Sequence, residues 1–195
     1  MFFKSKKGLD FTRKKRKVNH KAVRKVVIWT MEIVFVILLA FSVVFFFGKR
    51  VGVVGKAMET DLNIDDQILV NKFIYKVTKP KKDDVIVFKP NGNKKSQFYL
   101  RRVIATPGDT VQIKNGMIYV NDKMLQENRK VESIENPGLA NKKIKLKKDE
   151  YFVLGDNRNN SEDSRYSSVG NVKAKHIEGK AWLRVVPMKK IGFVK

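Results

Sequence analysis

The feature that most constrains this chain is an apolar run of 22 residues, Val26 to Phe47, broken by a single charge at Glu32. As a helix it measures roughly 33 Å, enough to cross a hydrocarbon core. The run is apolar on every face, so it lacks the polar stripe of a helix lying on a soluble domain. Glu32 lies within two turns of the start of the run, where its carboxylate can reach the interface. Trp29 suits an interfacial anchor on the same side. Residues 1–25 hold eleven Lys/Arg and one Asp, a net charge of +10. The excess of positive charge predicts a cytoplasmic N-terminus. Lys49 and Arg50 oppose this weakly. A cleaved leader is disfavoured, because the run is long and no small-x-small site follows Phe47. The organisation expected is a basic tail (1–25), a transmembrane helix (26–47) and an extracytoplasmic domain (48–195).

The total charge of +23 calls for an acidic partner. Setting aside the tail's +10 and the −1 of Glu32 leaves +14 on residues 48–195. The RKKRK run at 13–17 sits beside the span. It reads as a topology signal and an anionic-lipid contact, not as a nucleic-acid site. There is no cysteine, which excludes disulfides, thiolate metal sites and a cysteine nucleophile. Only His20 and His176 are available to a histidine-based triad, and a multi-histidine metal site has too few ligands. No metal or cofactor is expected.

After the span the apolar pattern shortens. Residues 67–70, 85–88, 99–104, 110–113, 117–120 and 151–154 are short β-branched or aromatic runs punctuated by Gly, Asn, Asp and Pro. Asn115-Gly116 between two of them predicts a two-residue hairpin. With no long helical period in 48–195, the domain reads as mainly β. Residues 121–150 are lysine-rich and contain Asn136-Pro137-Gly138. They are expected to form an exposed excursion or a small second lobe.

Three segments exceed what a generic β-domain requires: VGKAMETDL (54–62) followed by IDDQILVNK (64–72); YLRRVIATPGD (99–109); and GDNRNNSEDSR (155–165). The last is densest in polar groups. Its Asp163 and Arg165 are two apart, so on an extended strand they face the same way. In this order after an N-terminal span, the segments resemble the type I signal peptidase family. That family's pattern has a Ser-Met-x-Pro-Thr-Leu run, then Gly-Asp and a strand ending Asn-Lys. Lys-Arg-Val-Ile-Gly leading into Pro-Gly-Asp follows, and finally Gly-Asp-Asn-x-x-x-Ser-x-Asp-Ser-Arg. The last motif is matched at Gly155, Asp156, Asn157, Ser161, Asp163, Ser164 and Arg165. The resemblance covers nearly all of 26–187, including DVIVF at 84–88 and GKAW at 179–182.

The resemblance implies a membrane-anchored serine protease that cuts signal peptides from exported preproteins with a Ser/Lys dyad. It implies a signal-peptidase-like β catalytic core with an extended peptide-binding groove. A lysine kept neutral by apolar surroundings would take the serine proton. In this sequence the serine position falls on Ala57 and the lysine position on Arg101. A methyl group offers no oxygen, and a guanidinium, with a pKa of about 12.5–13.8, is no general base near neutral pH. The register is fixed by Met58 and Leu62 around the first position, and by Arg102-Val103-Ile104 and Pro107-Gly108-Asp109 around the second. Thr60, Asp61, Asp65, Asp83 and Ala105 also depart from the pattern, and these departures are read as clustering around the missing dyad. A substitute dyad from Thr60, Ser164 and Lys56 would have to rebuild attack geometry to within about half an ångström.

By resemblance, Asp163 and Arg165 form an ion pair that braces the lysine neighbourhood, and Ser161 bonds near that lysine. Asp163, helped by Ser161 and Asp109, is therefore expected to partner Arg101. Three functional readings stay open. The chain is a catalytically inactive family member that binds signal peptides or exported preproteins, alone or with an active paralogue or a surface-protein assembly partner. It is an active signal peptidase with an unorthodox site. Or it is an envelope-binding structural protein using its basic surface.

Overall fold

The structure, a computed structural model, describes residues 19–93 and 95–194. The basic run at 13–17 lies outside the described residues. The chain divides into two units, Met1–Ser42 and Val43–Lys195.

Helix α1 (His20–Phe47) starts in the first unit and begins six residues before the apolar run. Asn19 sets that start. Its side-chain oxygen accepts from the N–H groups of Lys21 (3.2 Å) and Ala22 (3.3 Å), satisfying donors that the first helical turn leaves free. Within the helix the one hydroxyl of the early span, Thr30, donates to the Val26 carbonyl at 2.8 Å, so that hydroxyl is satisfied within the helix. The stretch His20–Ser42 is long and apolar enough to cross a membrane.

The second unit is mainly β, as the sequence predicts. Its larger sheet contains β1 (Gly48–Gly52), β2 (Gln67–Asn71), β3 (Val85–Phe88), β4 (Tyr99–Ala105), β9 (Glu150–Leu154), β10 (Val172–Lys173), β11 (Ile177–Val186) and β12 (Gly192–Phe193). The order is β1-β2-β11-β3-β4-β9-β10, with β12 added to β11, and all pairings are antiparallel. The smaller sheet runs β7 (Lys123–Met124), β6 (Met117–Val120), β5 (Thr110–Lys114), β8 (Ile144–Lys145). A single helical turn, α2 (Ile74–Val77), follows β2.

All six runs read from the sequence are strands. The hairpin turn at Asn115-Gly116 has φ of 48° and 75°, the left-handed pair that a tight primed turn demands. Two strands of five residues or more, β1 and β11, escaped the sequence reading, as did the two-residue strands β7, β8, β10 and β12. β1 is GKRVG, whose Lys49 and Arg50 suggested topology instead of pairing. β11 is IEGKAWLRVV, in which charge and glycine interrupt the apolar pattern. Gly179 is there because β2 passes too close for a side chain: a Cβ at 179 would lie 2.5 Å from the Asn71 carbonyl oxygen.

The core forms along both faces. Val51, Val53, Met58, Leu62, Ile68, Val70, Val85, Val87 and Leu100 pack together, anchoring the 54–62 segment from beneath. Ile104, Val111, Ile113, Phe152 and Leu154 join the two sheets. The 121–150 segment supplies Ile134, Ala140 and Leu146 to that cluster and strands β7 and β8 to the smaller sheet's edges. Asp65 and Asp83 occupy left-handed turns at φ of 70° and 71°. Where the family pattern has glycine, this chain uses aspartate, one of the few side chains that tolerate such turns. Their departure from the pattern is thus a matter of turn chemistry just before β2 and β3.

Candidate functional site

Between β1 and β2 the chain leaves the sheet after Val53, whose N–H and C=O still pair with Asp66 and Asp65. It then folds into a tight turn. The Asp61 and Leu62 amides donate to the Met58 carbonyl at 2.9 and 2.7 Å, and the Met58 and Leu62 side chains are buried beneath. Ala57 sits at the mouth of this turn. It is held by its main chain: the Asn157 N–H donates to the Ala57 carbonyl at 3.0 Å. Gly155, just before, must be glycine. A Cβ there would meet Ser161 Oγ at 2.2 Å and the Ala57 carbonyl oxygen at 2.6 Å. The Ser161 hydroxyl and the Ala57 carbonyl are therefore brought together against Gly155.

Strand β4 delivers two successive arginines to opposite faces. Arg102, fully buried, is matched on every side. Its Nε and Nη2 donate to the two carboxylate oxygens of Asp156 at 2.7 and 2.5 Å, and its Nη1 donates to the Asp83 carbonyl at 2.9 Å. Asp61 stands 3.7 Å away. A planar fork on a planar carboxylate is the strongest ion-pair geometry a protein interior offers. Arg165 is matched in the same way by Asp163, at 2.8 and 2.9 Å, and Arg158 by Glu127 at 2.5 Å.

Arg101 differs. Its Nε and Nη2 both donate to the carbonyl of Glu162, at 2.8 and 2.6 Å, and its Nη1 donates to the Leu100 carbonyl at 2.7 Å. The expectation that Asp163 partners Arg101 is not met. Both Asp163 oxygens are committed to Arg165, and one also accepts from the Gly155 N–H at 3.1 Å. Asp109 does not help either. It accepts from Thr106 and Asn121, closing the Thr106–Gly108 turn. Burial pushes the Arg101 guanidinium below its usual value, while the field of Asp163 opposes that shift. A guanidinium keeps its proton in proteins, so Arg101 stays charged. Its planar face lies 4.9 Å from the Tyr99 ring.

The remaining residues of the predicted site divide by environment. Ser164 Oγ is fully buried and accepts from the Val153 N–H at 3.0 Å, so it fastens the loop to β9. Thr60 is exposed and lines a different cavity, beside Asp156, Asn157 and Glu59. Ser161 Oγ is buried and has no hydrogen-bond partner. Asn157 reaches Glu59 at 3.4 Å. A cavity of about 260 Å³ opens beside Ala57, lined by Val54, Gly55, Lys56, Phe98, Tyr99 and Arg101 among others.

Sequence reasoning missed Glu162 and Tyr99. The Glu162 carboxylate accepts from Tyr99 Oη at 2.8 Å and from Ser168 Oγ at 2.5 Å, while its main chain takes Arg101. These hydrogen bonds hold the Glu162 carboxyl below the ordinary range, that from Ser168 most strongly. Tyr99 is shifted up, first by its bond to Glu162 and then by burial. The two-residue spacing of Tyr99 and Arg101 on a strand was the signal for their shared face. Nothing local marks Glu162.

The family model described as Signal peptidase, peptidase S26 matches residues 26–186. The chain is 33% identical over 162 residues to the probable signal peptidase I-2 of Synechocystis sp., covering 81% of this chain and 72% of that one. It is 34% identical over 192 residues to signal peptidase I P of Bacillus subtilis subsp. natto, covering 95% and 100%. Among solved structures, a signal peptidase I from Enterococcus faecalis is 30% identical, with a TM-score of 0.41, covering 53% of this chain and 97% of that chain. This chain belongs to the signal peptidase family.

Proposed function

We propose that this signal peptidase family member binds signal-peptide-like or exported segments without cleaving them. It does so from a plasma-membrane anchor formed by α1, with the N-terminus on the cytoplasmic side. The observation that carries the reading is the pair at the dyad positions. Ala57 offers a methyl group, and Arg101 is a permanently charged donor whose Nε and Nη atoms are turned to main-chain carbonyls. Proteolysis by the family's route needs an oxygen nucleophile and a base to activate it, and loss of one member of such a unit costs about as much as loss of all.

A peptide-binding role is supported by the edge beside the cavity. Among the described residues, the N–H and C=O groups of Val54 and Gly55 enter no main-chain hydrogen bond. An extended peptide can add there as a strand, with its side chains alternately in and out of the cavity. An active paralogue or a surface-protein assembly factor would be a natural second partner for a chain that holds substrates without cutting them.

The test is incubation of the purified full chain, in detergent, with a preprotein. The expected result is co-purification of intact preprotein with no cleaved product. Specific cleavage that Thr60→Ala removes would sink the reading in favour of an enzyme with a substitute nucleophile. Binding that collapses with salt and ignores peptide sequence would favour an envelope-binding role for the basic surface.

A further inference from the structure

Four arginines are buried among the described residues: Arg101, Arg102, Arg158 and Arg165. Three have a carboxylate within hydrogen-bond distance. Arg101 alone among them is held only by carbonyl oxygens. Three of the five N–H bonds of its guanidinium are used, so two remain without a protein partner. The nearby Glu162 carboxylate is occupied by Tyr99 and Ser168. Burying a cation is costly, the fields of Asp163 and Glu162 offset that cost only in part, and an anion that reaches the free N–H groups relieves it further.

The cavity that Arg101 lines points to which anion that is. It also carries Lys56, and none of its lining residues is acidic. Two further lysines, Lys49 and Lys89, lie over the Phe98 ring of its wall at 4.0 and 4.9 Å. The cavity is small and lies at the end of the free main-chain edge formed by Val54 and Gly55. An uncut chain passing through it presents a neutral amide to Arg101. A chain that stops there presents a planar carboxylate, which the guanidinium fork is shaped to accept.

We infer that Arg101, assisted by Lys56, makes this groove a receptor for peptides that end in a free α-carboxylate, so that the chain prefers already-cut peptides to intact ones. This rests on the reading that an extended peptide occupies the groove.

The experiment uses the full chain in detergent micelles and a fluorescent nonapeptide ending Ala-Leu-Ala, made as the free acid and as the C-terminal amide. Hydrogen bonds to a charged partner set the expected preference for the acid at roughly tenfold to a hundredfold in Kd. Arg101→Met should close the gap between the acid and the amide, so that the two bind alike. Equal affinity of acid and amide for the unaltered chain overturns this inference and leaves the peptide-binding reading standing. Failure of both peptides to bind overturns the two together. An acid preference that survives Arg101→Met assigns the carboxylate to another group and also overturns the inference.

Discussion

Arg101 and Arg102 are consecutive residues of one strand, yet they live in opposite electrostatic worlds. On one face, Arg102 closes a network with Asp156, Asp61 and the Asp83 carbonyl. On the other, Arg101 receives only the carbonyls of Glu162 and Leu100. The first face is scaffolding whose charges are matched within the fold. The second faces the cavity and leaves positive charge unspent. The difference teaches that burial alone does not make a charge structural. What separates the two is whether the fold puts a carboxylate in hydrogen-bond contact with the guanidinium.

The sharpest way to break this comparison is to remove each arginine in turn. Arg102→Met leaves the fully buried Asp156 carboxylate with only Arg129, 4.0 Å away, as a cation, at an expected cost of about 3–5 kcal/mol in thermal or denaturant unfolding. Arg101→Met strands no carboxylate, and its expected effect is below about 1.5 kcal/mol, because lost hydrogen bonds and the lost burial of a charge oppose each other. Equal losses for the two variants would erase the distinction.

A smaller effect should follow from Glu162. Its folded pKa lies below its unfolded value, so its contribution to stability is present above the ordinary glutamate range and is lost as pH falls through the folded pKa. Ser168→Ala removes the leading cause of that depression. A melting-temperature series from pH 6 to pH 3 is expected to show a shallower acid loss in the variant. Parallel curves would mean that Ser168 does not hold Glu162.

The smallest expected change is at a turn remote from either charge pattern. Asp65→Gly relieves a left-handed backbone at φ 70° but adds freedom to the unfolded chain. A net gain of less than about 1 kcal/mol is expected from equilibrium unfolding, and a loss would assign the Asp65 side chain a role of its own.

Much of this was legible in the residues. Short β-branched runs fixed six strands, because period and punctuation are local. The hairpin at Asn115-Gly116 followed from turn chemistry, and the Asp163–Arg165 pair from the family resemblance, on a turn and not on the extended strand that the spacing supposed. The start of α1 was displaced because a single cap residue, Asn19, carries the helix past the apolar run. The partner of Arg101 was illegible for a different reason. It is a main-chain carbonyl, which has no residue identity to read, delivered by a loop 61 residues away. β11 escaped because its glycine and charges answer to neighbouring strands, as the close approach at Asn71 shows.

The bond from the Asn157 amide to the Ala57 carbonyl has a consequence for substitution at residue 57. The latch that keeps this loop in place grips a part of residue 57 that every amino acid possesses. Exchange of the side chain at position 57 therefore leaves the latch itself untouched, because the hydrogen bond is made by the main chain alone.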